Sequence, residues 1–394
     1  MNNTLKSRLS QFWNDLQCDL FPFLREEERL ALTPPLEKTI RVLELIELER
    51  FIPSSRGLPG RPPKDRIALA RAFVAKAVLN LPTTEALIDR LNHDRSLCRI
   101  CGFDRFKSLP DASRFSRAFA EFSAQNLPAR VHEALIRTQV GDQLFGHVAH
   151  DSTEIDAREK PAGAKRRDAK PDAEGVAPLA GPSEEAKPSE VPQAQEATPK
   201  KRGRPRKGEQ RPKEPTVLER QVTQPVEQNL KGLPMACDFG TKKNSKGVKE
   251  TWVGYKLHIS TTDGDIPVSA LLTSASLHDS QVAIPLMQMT GARIQYCYDL
   301  ADAAYCSEVI REASRSQGRV PLIDHHPRAG KKRPFEPHEA ERYKIRSQVE
   351  RTNSLLKDAH GGRQIRVRGA PKVYTHLMFG ILVIAAEPIM RLLS

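Results

Sequence analysis

Along residues 343–357, YKIRSQVERTNSLLK, apolar and polar side chains recur at the interval of a helix. At about 100° per residue, Tyr343, Arg346, Glu350 and Lys357 fall within roughly 60° of one another, and Ile345, Val349 and Leu356 lie on the other side. The pattern predicts an amphipathic helix that packs its apolar stripe on a core and presents one carboxylate between two cations and a phenol. His360-Gly361-Gly362 ends it. The same period predicts helices over 64–80, after a Pro-Pro start, and over 84–93, 112–122 and 128–140. At 144–155, LFGHVAHDSTEI, small and β-branched residues alternate instead, which is a strand signal. Two further strands, 252–260 and 266–273, flank the turn Thr262-Asp263-Gly264-Asp265. A helix over 278–289, a strand over 293–299, a helix ending near 316 and a short strand over 320–323 follow. The order β-β-β-α-β-α-β-α predicts an α/β domain on a mixed sheet, preceded by an all-α region.

Between 161 and 234 the pattern disappears. Twelve of the 30 prolines fall in these 74 residues, and none of the residues is aromatic. Such a composition buries too little apolar area to offset its ordering entropy, so a disordered insertion is expected. It carries Lys200-Lys201-Arg202-Gly203-Arg204-Pro205-Arg206-Lys207. That segment resembles an AT-hook, in which Arg202, Arg204 and Arg206 lie along a narrow A·T minor groove. The alternative is a basic linker held to DNA by phosphates alone.

Charge adds weight to a polyanionic partner: 62 Lys and Arg against 49 Asp and Glu leave a net charge of +13. The first fifteen residues hold no apolar run of signal-peptide length, and the apolar run 377–386 is short for a membrane span, so a cytoplasmic protein with no membrane partner is expected. Six scattered cysteines do not form a disulfide framework, and Cys98-x-x-Cys101 reads as packed thiols rather than half of a zinc site.

The spacing of Tyr343, Arg346, Glu350 and Lys357 resembles the Y-R-E-K signature of bacterial insertion-sequence transposases of the DDE type. Further likeness lies in Gly254-Tyr255-Lys256-Leu257-His258, in His278-Asp279-Ser280, and in Asp302 followed three residues later by Tyr305. The resemblance implies a ribonuclease-H-like catalytic core with three metal-binding carboxylates. Asp151 is the first, on the opening strand; Asp302 is the second, after the fourth predicted strand; Glu350 is the third. Asp299 competes for the second position. Tyr343, Arg346 and Lys357 would handle the phosphates and bases of the transposon end.

By the same resemblance, residues 1–140 form a helical domain for DNA-end binding and assembly, although a plain helical cap fits their pattern equally. Residues 141–156 give the first strand, 157–235 the insertion, 236–370 the rest of the core and 371–394 a C-terminal helix. Three carboxylates converging from separate elements repel one another unless cations intervene, and an all-oxygen set suits two Mg²⁺, with Mn²⁺ substituting. The expected activity is DNA cleavage and strand transfer on double-stranded transposon ends and target DNA, by a homodimer in the synaptic complex. The alternatives are a nuclease of the same fold that does not join strands, and an inactive DNA-binding regulator.

Overall fold

In a computed structural model, the described residues are 32–53, 65–103, 108–162, 215–243, 247–327 and 331–393. Six helices come first: α1 (Pro34–Ile46), α2 (Arg66–Val78), α3 (Thr84–His93), α4 (Arg95–Cys101), α5 (Ala112–Ala124) and α6 (Leu127–Val140). Their starts are chemically specified. Asp65, Thr83, Asp94 and Asp111 each accept a hydrogen bond from a backbone N–H of the first turn that follows. The pattern over 64–140 located four of the six; α1 and the seven-residue α4 were not separated from their surroundings.

The sheet holds β1 (Leu144–Asp156), β2 (Asp238–Lys243), β3 (Lys249–Thr262), β4 (Pro267–Ser274), β5 (Gln295–Ala301) and β6 (Val320–Ile323). Its order is β2-β3-β1-β5-β6, with β4 also paired to β3. β1 lies antiparallel to β3 and parallel to β5. This mixed arrangement, with the longest strands at the centre, agrees with a ribonuclease-H-like fold. β2 is an addition to the five strands expected: it runs along 249–254 of β3, end to end with β4 on 255–261.

The expectation of a disordered insertion fails at its C-terminal end. Residues 215–235 contain α7 (Val217–Thr223) and α8 (Val226–Lys231). Thr216 and Glu219 cap α7 reciprocally. Both helices pack on α9 (Ser280–Gly291), and α7 also touches α10 (Glu308–Ser316). Polar side chains anchor them. Gln221 Nε2 donates to Gln281 O at 2.8 Å, and Asn229 Nδ2 donates to Gln221 O and Gln288 Oε1. An anchor built from Gln and Asn has no hydrophobic period, which is why composition read it as unstructured. Arg202, Arg204 and Arg206 lie outside the described residues.

The chain then continues through α11 (Pro337–Tyr343), a 3₁₀ turn over Lys344–Arg346, α12 (Ser347–Ala359) and α13 (Ala370–Leu393). Successive strand residues point to opposite faces. Ala149, Ile259 and Leu300 pack with Val349 and Leu356 of α12 and Leu377 of α13, whereas Ala301 and Ile323 pack with residues of α9 and α10. The sheet is therefore the middle of three layers. The 24-residue α13 is long and apolar enough to cross a bilayer, but 67% of its apolar window is buried. It lies against α1, α2, α5, α6, α12 and β4. Its Phe379 stacks on Phe73 of α2, so one continuous core joins the N-terminal helices to the sheet.

Candidate active site

Asp151 sits in the middle of β1, opposite Ile259 and on the face covered by α12. Asp302 is the first residue beyond β5, where one of its oxygens accepts a hydrogen bond from Ala304 N at 2.9 Å. Because β1 and β5 are parallel neighbours, the two carboxylates meet at the same end of the sheet. Glu350 lies in the first turn of α12, exposed over this end. It is bound to Arg346, which also lies 3.9 Å from Asp151. Arg346 thus stands between the first and third carboxylates.

The electrostatics separate this cluster from the rest of the sheet. Burial pushes the Asp151 carboxyl up to about 7, against the pull of Arg346 and with added repulsion from Asp302 and Glu350. Asp302 is shifted upward in the same way, by burial first, with Ala304 N–H and Arg346 opposing and Asp279 and Asp324 adding repulsion. Desolvation works against the Arg346 charge, but Asp151, Tyr343, Glu350 and Asp302 outweigh it and hold its pKa above the ordinary value. The Tyr305 hydroxyl is buried without a hydrogen-bond partner among the described residues, as are Arg346 Nε and Asn353 Oδ1. The centre carries more negative charge than its single arginine offsets.

Asp299, the rival to Asp302, belongs to the other face. It is fully buried and accepts from Tyr296 Oη at 2.7 Å, Ser314 Oγ at 2.6 Å and His150 Nε2 at 2.8 Å. Burial alone would raise its pKa; the His150 hydrogen bond and charge, together with Arg319 and Ser314, hold it below the usual carboxylate range. Its acceptor capacity is already used by the protein.

The single helix expected over 343–357 is divided, with Tyr343 ending α11, Arg346 in the 3₁₀ turn and Glu350 and Lys357 on α12, and each of the four has a partner within the protein. Tyr343 Oη donates to Ala301 O at 3.2 Å, and its ring packs on Phe335. Lys357 Nζ donates to Glu154 Oε1 at 2.7 Å, and Glu154 also pairs with Lys242. Burial opposes the Glu154 charge, but the two lysines outweigh it and bring the carboxyl to about 2. Asn353 was not anticipated: its Nδ2 donates to Asp151 Oδ2 at 3.0 Å and fixes that carboxylate. One turn beyond Glu350 on the same helix, it was legible from spacing. The two further sequence fragments also meet, through Lys256 Nζ and Asp279 Oδ1 at 3.0 Å.

Residues 221–385 match the family model for the transposase DDE domain, and residues 25–121 match the model described as "Transposase domain (DUF772)". The chain belongs to the DDE transposases of insertion sequences. The DDE match contains Asp302 and Glu350, while Asp151 lies between the two matched regions. No curated protein and no solved structure matches this transposase. Membership implies DNA as the substrate and a DNA-cleaving enzyme that works with divalent metal ions.

Among the described residues no three His, Cys, Asp or Glu side chains stand close enough together to hold an ion, because Glu350 is turned to Arg346 rather than to the two aspartates. The chemistry nevertheless fits. The donors are all carboxylate oxygens, two of them are desolvated and short of positive charge, and hard cations of the Mg²⁺ type take such ligands.

Proposed function

We propose that this transposase cleaves DNA at the ends of its insertion sequence and joins the freed 3′ ends to target DNA, with Asp151, Asp302 and Glu350 holding two Mg²⁺, for which Mn²⁺ substitutes. The observation that carries the reading is the pairing of Asp151, midway along β1, with Asp302, just past the end of its parallel neighbour β5, under a third carboxylate on α12, with Arg346 offsetting them among the described residues. When bound, a pair of divalent cations activates the attacking oxygen and stabilises the leaving one. The protein's share is positioning and charge, so no serine or cysteine nucleophile is needed. Asp151, Asp302 and Glu350 would hold the metals, and Asn353 fixes the orientation of the Asp151 carboxylate through its hydrogen bond. Once Glu350 is released, Arg346 presents a guanidinium to the scissile strand, where its planar fork can take a phosphate bidentately. Lys357 exchanges Glu154 for a DNA phosphate, and Tyr343 stays beside the strand against Phe335.

The reaction brings two DNA ends together, which calls for a homodimer, and the helical domain with the Arg202–Arg206 segment adds DNA contacts outside the catalytic centre. The setting is the cytoplasm, at the nucleoid. The test is a labelled duplex carrying the element's terminal sequence, incubated with Mg²⁺, Mn²⁺ or EDTA, followed by joining of a pre-cut end. Metal-dependent nicking at the boundary and joining of the 3′ end are expected. Nicking without joining would leave a nuclease, and binding without nicking in any metal would replace the enzyme with a regulator.

A further inference from the structure

A second charged site lies between the N-terminal helices and the segment that links α12 to α13. It is a cavity of about 300 Å³ whose floor is Phe73 of α2 and Phe119 of α5. Four cations line it: Lys76, Arg366, Arg368 and Lys372. No acidic side chain does, and none of the four makes an ion pair among the described residues. Lys76 is itself 9% exposed. Desolvation brings its amine down to about 8, with Glu85 opposing from outside the cavity. A buried lysine without an acidic partner, in a cavity whose other charged lining residues are also cationic, is costly unless something anionic shares the space.

Two features narrow the anion. The N-terminus of α3 opens onto the cavity through Thr83 and Thr84, which favours negative charge further. Gln364 lines the cavity, and its Oε1 is buried without a hydrogen-bond partner among the described residues. An oxygen in that state asks for an N–H or O–H donor, which a nucleobase supplies through its ring and exocyclic N–H groups. Exposed cations at Arg366, Arg368 and Lys372, a buried one at Lys76, aromatic rings in the lining and one unused acceptor are the chemistry of a nucleotide, a phosphate joined to a base.

We infer that this cavity binds one nucleotide unit, its phosphate held by Lys76, Arg366, Arg368 and Lys372 and its base placed over Phe73 and Phe119 within reach of Gln364 Oε1. The unit is either a free nucleotide or one residue of a bound DNA strand; both present the same groups. The inference does not depend on the catalytic reading, because none of these residues belongs to the carboxylate centre.

The test is calorimetric titration of the full chain in EDTA with 5′-dAMP, inorganic pyrophosphate and a short single-stranded oligonucleotide. We expect dAMP or the oligonucleotide to bind more tightly than pyrophosphate. Lys76→Met and the double variant Arg366→Gln/Arg368→Gln should each weaken binding about tenfold or more, the scale of a lost charge-assisted hydrogen bond. Gln364→Leu should weaken dAMP while leaving pyrophosphate unchanged. Arg366 and Arg368 are exposed, so their double variant stays folded and keeps the test valid where Lys76→Met does not. Arg41→Gln/Lys231→Gln, on other surfaces, should have little effect. If dAMP binds, the site takes free nucleotide; if only the oligonucleotide binds and the rim variants weaken it more than the control pair does, the site takes one residue of a strand. Wild-type affinity in the cavity variants, or equal affinity for pyrophosphate and nucleotide, would overturn the inference.

Discussion

The two faces of the central sheet treat their aspartates in opposite ways, although Asp299 and Asp302 are three residues apart and His150 precedes Asp151 directly. On the α9 and α10 side, Asp299 is completely buried and its charge is fully answered by a histidine, a serine and a tyrosine. On the α12 side, Asp151 and Asp302 are less enclosed yet have fewer donors, and both carboxyls are shifted upward. A buried acid whose lone pairs the protein has filled is part of the fold. A desolvated acid left short of positive charge has lone pairs that a cation from outside can take.

The widest separation of the two faces is in cleavage. Asp151→Asn and Asp302→Asn should each lower DNA cleavage by at least about 10²–10³-fold, the scale of losing one major electrostatic stabiliser. Their melting temperatures without metal should not fall, since repulsion and desolvation are relieved. Cleavage at the wild-type rate by Asp302→Asn would move the second ligand elsewhere.

Asp299→Asn reverses the pattern. Removing one partner from this buried network should cost roughly 3 kcal/mol of stability, read as a lowered denaturation midpoint. Cleavage measured on the fraction that remains folded should persist. A stable but inactive variant would show that the faces had been assigned the wrong way round.

Asn353→Ala sharpens the comparison on the α12 side alone. Loss of the hydrogen bond that orients Asp151 should weaken Mn²⁺ binding by about 10–100-fold, as for other groups that orient a ligand. Calorimetric titration with Mn²⁺ checks it, and unchanged affinity would reduce Asn353 to a packing residue.

The comparison extends to the pH dependence of metal-free stability, where the two faces have opposite signs. The lowered pKa of Asp299 contributes stability that is present above the unfolded carboxylate value near 4 and is lost as pH falls. Asp151, raised to about 7, does the reverse: the unfolded state releases its proton first, so stability declines as pH rises from about 4 toward 7. Denaturant midpoints of Asp151→Asn should therefore decline less than those of the wild type across that window. An identical slope would deny Asp151 its shift.

Much of this was legible in the residues. Strand alternation at 144–155 and the 3.6-residue period at 343–357 located Asp151 and Glu350 because both signals act over many positions. The choice of Asp302 over Asp299 rested on resemblance, and the face on which each aspartate lies supplies a physical reason for it. Strand β2 was missed because an edge strand with exposed Phe239 and two lysines has little burial to pattern it. Helices α7 and α8 were missed because buried Gln221 and Asn229 anchor them with little apolar packing beyond Leu218. The partners of Lys357 and Arg346 were not legible at all, since a long cationic side chain chooses among carboxylates only once the fold brings Glu154 and Asp151 near.

The most direct test of the central claim is a Mn²⁺ titration followed by electron paramagnetic resonance, comparing wild type, Asp302→Asn and Tyr296→Phe. The account predicts that Asp302→Asn loses bound Mn²⁺ while Tyr296→Phe, which alters only the Asp299 face, binds as the wild type does. Equal Mn²⁺ binding by wild type and Asp302→Asn would contradict it.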